Sequence, residues 1–228
     1  MMSDMICLYC HERLRYSPDI FNLFKKPEPV CVKCIAKLKR RDGRPSCLRC
    51  HNKTAEATEE CDSCILLKNT FAHTPDKIYT ILEYNTDVSQ LLHRYKFVND
   101  AAISEVIAAL IDFDFTCYDV IVPIPVSKMR MKERTYNQTS LVLSQLKINY
   151  HDVLITNKVV RQSELTKAER LFSEQVFMLK EEYYNALKDK SILIVDDVYT
   201  TGITVHQALQ VLKVATSENI DVLTFSRS

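Results

Sequence analysis

Short apolar runs alternate with helical periodicity from about residue 78 to the end of the chain. Strand-like runs lie at 78–84, 118–125 and 192–195, and their β-branched and aromatic residues are typical of strands. Between the first two runs, apolar residues recur three or four positions apart, which predicts helices over about 88–96 and 100–111. Strands that alternate with helices predict an α/β domain built on a parallel sheet.

The first 68 residues lack this alternation and are organised by cysteines instead. A C-x-x-C pair occurs four times within 58 residues. Each pair can hold one side of a tetrahedral metal ion, and two pairs complete a closed four-cysteine site. The spacing predicts two structural zinc ions, in the simplest case held sequentially by Cys7, Cys10, Cys31 and Cys34 and by Cys47, Cys50, Cys61 and Cys64. The sequence leaves an interleaved grouping open, and in either case the metal supplies most of the folding free energy of this short polar segment.

Two of the pairs also match C-x-x-C-H, the attachment signature of c-type haem, through His11 and His51. Haem attachment requires an exported chain and leaves the other two pairs unexplained, so zinc is the favoured interpretation. A thioredoxin-like redox role is disfavoured because no β-α-β pattern surrounds any pair. Cys117 stands alone among apolar residues, and we expect it to be a buried core thiol.

Composition supports a folded chain without a membrane span. The 228 residues are 46% hydrophobic with a formal net charge of +1, which suits a packed core and excludes a polycation. No apolar run reaches the length of a membrane-spanning helix, and the first residues lack the features of a secretory signal. We therefore expect a cytoplasmic protein in a reducing compartment, where regular cysteine pairs indicate metal rather than disulfides. A linker at 65–77 predicts two domains, a double zinc ribbon at 1–68 and an α/β domain at 69–228.

Basic residues are concentrated in two places that suit nucleic acid. The first lies between the two presumed zinc sites and predicts either contact with a phosphate backbone or a solvated linker face; it comprises Lys33, Lys37, Lys39, Arg40, Arg41 and Arg44. The second, residues 94–97, mixes cations with aromatics, as do surfaces that stack single-stranded bases. A plainer interpretation of this second stretch is the end of an amphipathic helix with a packed Phe97, and a third is that Lys96 points into an active site.

The stretch after the third strand is the main candidate site. Two carboxylates follow the apolar run, then a turn rich in hydroxyl groups, then a helical pattern that begins at Val205. The unpaired N–H groups of a helix N-terminus attract phosphate, and a glycine lets the backbone approach it closely. The turn is neither a Walker loop, which needs a lysine after the glycine, nor a dinucleotide fingerprint, which needs three glycines. Two carboxylates beside a phosphate cradle suit a ligand that carries both a phosphate and neighbouring hydroxyl groups.

Cations elsewhere in this domain could line the same site. A loop predicted at 126–138 follows the second strand, where ligands bind in open α/β sheets, and it contains Lys128, Arg130, Lys132 and Arg134. A polar stretch at 159–170 has the character of a flap that excludes water when it closes, and its cations are Arg161, Lys167 and Arg170. Either group could stabilise a pyrophosphate.

The motifs, taken in order, resemble a known family. The run at 195–204 is similar to the phosphoribosyl-pyrophosphate motif of type I phosphoribosyltransferases. With the cysteine pairs in front, further motifs resemble the ComF family of competence-associated, phosphoribosyltransferase-like proteins over nearly the whole chain; these are Pro123-x-Pro125-x-Ser127, Arg134-x-x-Asn137-Gln138, Gln162-Ser163-x-Leu165 and Glu169-Arg170. The chain departs from the family at Thr135-Tyr136, where Gly-Phe is usual, and at Ser173, where asparagine is frequent.

The resemblance implies a type I phosphoribosyltransferase fold and a site for phosphoribosyl pyrophosphate with Mg²⁺. It implies that Asp196 and Asp197 bind the ribose hydroxyls, and that the 5′-phosphate is wrapped by the rest of the motif, which is Val198, Tyr199, Thr200, Thr201, Gly202, Ile203 and Thr204. The residues expected to act in displacing pyrophosphate at the anomeric carbon are Asp196, Asp197, Arg134, Arg161 and Arg170.

Two functions follow from the resemblance. One is a role in DNA uptake during natural transformation, in which the protein binds single-stranded DNA and a helicase-type, ComFA-like ATPase, and reaches the inner face of the membrane only through such partners. The other is an active phosphoribosyltransferase that acts on an unidentified base or amine. The acidic pair favours retained ligand binding, and the basic N-terminal segment favours DNA.

Overall fold

A parallel sheet lies at the centre of the computed structural model, which describes residues 5–14, 28–40, 43–156 and 176–228. Its strands are β1 (Ile78–Glu83), β2 (Val120–Pro123), β5 (Ile192–Tyr199) and β6 (Ile220–Arg227). They lie in the order β1-β6-β5-β2, and each neighbouring pair is parallel. A separate antiparallel pair is formed by β3 (Leu154–Thr156) and β4 (Phe177–Leu179). The predicted parallel α/β fold is confirmed.

Helices flank the sheet. In chain order they are α1 (Val32–Leu38), α2 (Asp62–Thr70), α3 (Thr86–Phe97), α4 (Ile103–Leu110), α5 (Lys128–Arg134), α6 (Gln138–Gln145) and α7 (Ile203–Leu212), with 3₁₀ turns at Phe115–Cys117 and Glu181–Tyr183. The helices expected over 88–96 and 100–111 are therefore present as α3 and α4. In the part of the chain that the structure describes, no helix is long and apolar enough to cross a membrane.

Both faces of the sheet are covered, as near-continuous apolar strands require. Along β5, Ile192 and Ile194 pack on one side with α7, whereas Leu193 and Val195 pack on the other with α3, α4 and α6. The N-terminal cysteines join the same two cores. The group that begins at Cys47 lies on the α7 side, and Cys7 with Cys34 lies on the opposite side. The N-terminal segment therefore packs directly against the α/β sheet.

Two strands differ from the sequence prediction. β5 extends through Tyr199, so the acidic pair belongs to the end of the strand and not to the turn after it. β6 was not predicted, although it is buried along its whole length and pairs with both β1 and β5. It fills the middle of the sheet, and its carboxyl end reaches the same edge as the acidic pair.

The loop predicted at 126–138 is wrong in part, because Lys128–Arg134 form helix α5. The Ser127 hydroxyl caps this helix by accepting from the Arg130 backbone N–H at 3.3 Å, and its lysine, methionine, arginine and glutamate residues favour helix. The helix ends at Thr135, whose φ of 64° is left-handed. Glycine adopts that conformation most easily, so the threonine at the family's usual glycine position still makes a left-handed turn.

Two further expectations change. Cys117 is exposed, not a core thiol; it ends a 3₁₀ turn in which its Sγ donates to Asp114 Oδ2 at 3.6 Å, while Phe115 takes the buried position. The residues expected to form a linker at 65–77 begin within α2, which extends through Thr70. The division into domains at 1–68 and 69–228 stays a prediction.

Candidate functional site

A cleft lies at the carboxyl ends of β2 and β5, where ligands bind in open α/β sheets. Its volume is about 520 Å³. Asp196 and Asp197 line it from β5, Thr200 and Thr204 from the following turn and helix, and Arg134 from α5. The fold therefore brings together the acidic pair, two threonines of the predicted phosphate turn and one of the arginines predicted to bind pyrophosphate.

The two carboxylates of the acidic pair are partly buried and have different partners. Asp197 Oδ2 lies 2.9 Å from Lys96 Nζ, and Asp196 Oδ1 accepts from the Asp197 backbone N–H at 2.8 Å. Lys96, near the end of α3, thus points into the candidate cleft, the orientation that the third interpretation of residues 94–97 predicted. The interpretation with a packed Phe97 is wrong, since that side chain is 67% exposed.

Gly202 gives the phosphate turn its shape. Its φ of 79° is left-handed, and a Cβ at this position would collide with the Tyr199 hydroxyl, so the backbone and the ring beneath it both require glycine. Tyr199 is 2% exposed. Burial, and then the nearby Cys50, raises the pKa of Tyr199, so its hydroxyl stays protonated and the ring acts as a neutral support for the turn.

The remaining residues of the predicted phosphate motif fall on two sides of the turn. Val198 lines the cleft together with the threonines at 200 and 204. Thr201 and Ile203 instead line a separate cavity of about 140 Å³, which Thr200 also borders. Tyr199 and Gly202 are not among the residues that line the cleft, so Gly202 contributes through the backbone geometry of the turn.

Helix α5 divides its four cations between two directions. Arg130 and Arg134 line the cleft, because residues four positions apart share one face of a helix. Lys128 and Lys132 are exposed and lie outside the lining. Burial, and then the positive charge of Arg130, lowers the pKa of Arg134, and the Arg134 guanidinium lies 5.6 Å from the centre of the Phe97 ring. The cleft is therefore lined by two arginines as well as by the acidic pair.

Two of the lining residues that sequence reasoning had not singled out, Tyr84 and Ser228, follow the ends of β1 and β6. Gln138, from the Arg134-x-x-Asn137-Gln138 motif, also lines the cleft and begins α6. Had β6 been recognised, the rule that ligands bind at the carboxyl ends of parallel strands would have pointed to Ser228. The Gln138 side chain is buried, and its Nε2 has no hydrogen-bond partner among the atoms that the structure describes. The predicted flap at 159–170, with Arg161, Lys167 and Arg170, lies outside the described residues.

The eight paired cysteines form two groups. In each group the four Sγ atoms lie within 4.8 Å of one another, and the membership is sequential: Cys7, Cys10, Cys31 and Cys34, then Cys47, Cys50, Cys61 and Cys64. The Cys10–Cys31 sulfurs are 3.8 Å apart and the Cys50–Cys61 sulfurs are 3.7 Å apart. Tetrahedral zinc with Zn–S bonds of about 2.3 Å places its sulfurs about 3.8 Å apart, whereas a disulfide needs about 2.05 Å. The two groups could therefore hold two zinc ions, and the interleaved alternative is excluded.

Together these features define the class of the protein. A parallel α/β sheet carries an acidic pair and a glycine-shaped turn at its carboxyl edge, and two four-cysteine clusters pack against its faces. This is an α/β protein whose N-terminal segment carries two four-cysteine clusters that could hold zinc ions. No family model matches the chain. It is, however, 34% identical to Competence protein ComFC of Bacillus subtilis (strain 168), over 91% of this chain and 88% of that protein. The chain belongs to the ComFC family of competence proteins.

Other similarities are more distant. Competence protein ComFC of Streptococcus pneumoniae is 28% identical over 97% of this chain and 99% of its own length. The DNA utilization protein YhgH of Escherichia coli (strain K12) is 25% identical over 73% of this chain and 83% of its own length. Among solved structures, the allosteric regulatory enzyme of purine biosynthesis matches 69% of this chain and 29% of its own, with 16% identity and a TM-score of 0.33. A TM-score of this size adds nothing to the assignment made from the sheet and the sequence.

Proposed function

We propose that the cleft binds phosphoribosyl pyrophosphate with Mg²⁺, and that the protein acts in DNA uptake during natural transformation. The observation that carries the ligand proposal is that one cleft is lined by the acidic pair Asp196 and Asp197, by Thr200 and Thr204, and by Arg134. Carboxylates accept hydrogen bonds from ribose hydroxyls, threonine hydroxyls donate to phosphate, and arginine pairs with phosphate oxygens. Each part of the ligand therefore meets a group of complementary chemistry.

Magnesium fits the donor set of the cleft. The carboxylates of the acidic pair are hard oxygen ligands of the kind Mg²⁺ prefers, and the ion also binds phosphate oxygens. When bound, Mg²⁺ neutralises the charge of a pyrophosphate group. In this proposal Asp196 and Asp197 orient the ribose, while Arg130 and Arg134 balance the remaining negative charge.

A second candidate function is phosphoribosyl transfer to a base or amine. It is favoured by the rim of the cleft, where the exposed Phe97 ring lies 5.1 Å from the His93 ring. An exposed aromatic surface beside the ribose site suits a stacked aromatic base. Release of pyrophosphate, measured with candidate bases and amines, distinguishes this function from binding alone.

The ligand proposal is tested by calorimetric titration with phosphoribosyl pyrophosphate and Mg²⁺. We expect the double change Asp196→Ala and Asp197→Ala to abolish binding, because the ribose loses both of its acceptors. The control is Glu182→Ala, which removes an exposed carboxylate outside the cleft. Unchanged affinity in the double variant would remove the acidic pair from the site.

The DNA-related part of the proposal rests on the N-terminal basic residues and on the relatives. Lys33, Lys37, Lys39 and Arg40 are all exposed on or just after α1, and Arg41 lies outside the described residues. Two relatives are named competence proteins and a third is named a DNA utilization protein. We propose that this surface contacts the backbone of single-stranded DNA, and that a helicase-type ATPase of the uptake machinery, ComFA-like, is a protein partner.

Salt dependence tests the DNA contact. Each cation that neutralises a phosphate contributes about 0.7 to the slope of log affinity against log salt for single strands. We therefore expect Lys33→Glu with Lys37→Glu to weaken binding and to lower the slope by at least about 1.4. Lys188→Glu, a charge reversal at another exposed lysine, should change neither quantity appreciably. A wild-type affinity that is independent of salt would contradict backbone contact.

A further inference from the structure

Arg227, the last residue of β6, is a buried cation in contact with a cysteine cluster. Only 7% of it is exposed. Among the residues that the structure describes, no Asp or Glu side chain forms an ion pair with it, and its NH1 atom donates to the backbone oxygen of Ser228 at 3.1 Å. Its NH2 atom lies 3.9 Å from Cys50 Sγ, a member of the second cluster (Cys47, Cys50, Cys61 and Cys64). Because a buried charge is costly unless it is compensated, this contact needs an electrostatic explanation.

The second cluster can supply the compensation when it holds zinc. Four thiolates around one divalent ion leave a formal charge of about −2, and thiolate sulfurs accept hydrogen bonds from N–H donors. The zinc-loaded cluster therefore provides negative charge on the NH2 side of the guanidinium, which faces Cys50.

The other side of the guanidinium holds the phosphate turn. The NH1 atom donates to the carbonyl oxygens of Tyr199, at 2.8 Å, and of Thr200. The guanidinium carbon lies 4.8 Å from the centre of the Tyr199 ring, the same ring that a Cβ on Gly202 would strike. The Thr200 side chain lines the cleft. Arg227 therefore contacts the cluster on one side and the backbone and support of the turn on the other.

We propose that Arg227 is a positioning residue that links the second cysteine cluster to the phosphate turn. The zinc-loaded cluster holds the guanidinium, and the guanidinium fixes the Tyr199 and Thr200 carbonyls so that the turn receives the 5′-phosphate. The proposal rests on the proposed binding of phosphoribosyl pyrophosphate. It assigns the second zinc site a role in ligand binding beyond the folding of the N-terminal segment.

The first cluster (Cys7, Cys10, Cys31 and Cys34) offers an internal comparison. It packs on α3, where Arg94 NH1 donates to the Tyr9 carbonyl at 2.6 Å. Arg94 also forms an ion pair with Asp100 at 2.6 Å, so a carboxylate compensates its positive charge without any contribution from the cluster. The two clusters thus contact different parts of the α/β sheet, and the contact with the phosphate turn through Arg227 belongs to the second.

Thermodynamic linkage makes the proposal measurable. If zinc in the second cluster strengthens ligand binding, the ligand must strengthen zinc binding there by the same factor. The zinc-loaded protein is titrated with a chromophoric chelator, with and without phosphoribosyl pyrophosphate and Mg²⁺. In the wild type we expect the ligand to raise the chelator concentration that removes one of the two zinc ions.

The decisive variants are Arg227→Met and Arg227→Lys. Arg227→Met should keep two zinc ions, weaken phosphoribosyl pyrophosphate binding roughly tenfold to a hundredfold, and abolish the effect of the ligand on zinc removal. Arg227→Lys keeps the positive charge but lacks the two terminal nitrogens of the guanidinium. It should therefore retain part of the ligand affinity and part of the ligand effect on zinc removal that Arg227→Met loses. The comparison variant, Cys10→Ser with Cys31→Ser, removes the first site and should retain the linkage.

The outcomes separate this proposal from the one on which it rests. If the wild type does not bind phosphoribosyl pyrophosphate, both are overturned. If the wild type binds and Arg227→Met binds equally well with the linkage intact, only the role of Arg227 is overturned. A purely structural role would lower the melting temperature of Arg227→Met and leave the ligand effect on zinc removal in place, which also overturns it.

Discussion

Lys96 and Asp197 set the charge of the cleft through a single contact of 2.9 Å. Both side chains are mostly buried, at 18% and 17% exposed, so solvent screens this pair less than a surface pair. The ammonium lowers the negative potential that two adjacent carboxylates would otherwise present to a phosphorylated ligand. Under the proposed function, Lys96 allows an acidic pair to lie within a site for a phosphorylated ligand.

We predict that Lys96→Met weakens phosphoribosyl pyrophosphate binding about fivefold to tenfold, the equivalent of about 1 kcal/mol. The unpaired carboxylates would then repel the phosphate groups. Calorimetry at constant ionic strength measures the effect. Lys132→Met makes the same change of charge on the exposed side of α5 and should leave the affinity within twofold. An equal loss in both variants would mean that net charge, and not the Asp197 contact, sets the affinity.

Among the secondary-structure elements, α5 shows why the local sequence pattern was insufficient to predict a helix. It has seven residues, fewer than the ten to twelve over which helical periodicity becomes readable. Pro123 and Pro125, just before it, stiffen the chain and give no sign of a helix. Its boundaries come from particular contacts instead, the Ser127 cap at the start and the left-handed Thr135 at the end. The helical form matters for function because it selects Arg130 and Arg134 for the cleft.

β6 was difficult to predict for a different reason, which is that its position in the sheet is set by distant strands. Its apolar residues were present in the sequence, but its place between β1 and β5 depends on pairing with strands far away along the chain. Ser226 donates to the Leu82 carbonyl at 3.0 Å across a separation of 144 residues. By contrast, β1, β2 and the start of β5 were predictable because each is an apolar run bounded by turn-forming residues.

In the whole molecule, the cysteine clusters are continuous with the core. Cys47 and its partners share one apolar cluster with Ile192 and Ile194, and Cys7 and Cys34 share the other with Leu193 and Val195. Metal binding in such a segment is coupled to folding. Zinc bound in these clusters would therefore support the packing on both faces of the sheet.

We predict that removal of both zinc ions by a chelator lowers the melting temperature by more than about 10 °C. Because the clusters and the sheet share their apolar contacts, calorimetry should show one shifted transition. Cys117→Ser, which changes an exposed thiol outside both clusters, should melt like the wild type with and without the chelator. A second transition that keeps the wild-type melting temperature after zinc removal would show that the sheet is independent of the clusters.

The sequence by itself determined the features whose chemistry is local. Four C-x-x-C pairs specify two four-cysteine groups because each pair can chelate from one turn of backbone. The motif around Asp196 specifies a strand, an acidic pair, a glycine turn and a helix in succession because these parts are contiguous in the chain. Only the tertiary structure decided which distant groups meet them. Lys96 reaches Asp197, and Arg227 reaches Cys50 across 177 residues. The physical reason is that these contacts depend on strand order and on burial against the sheet, which no spacing along the chain encodes.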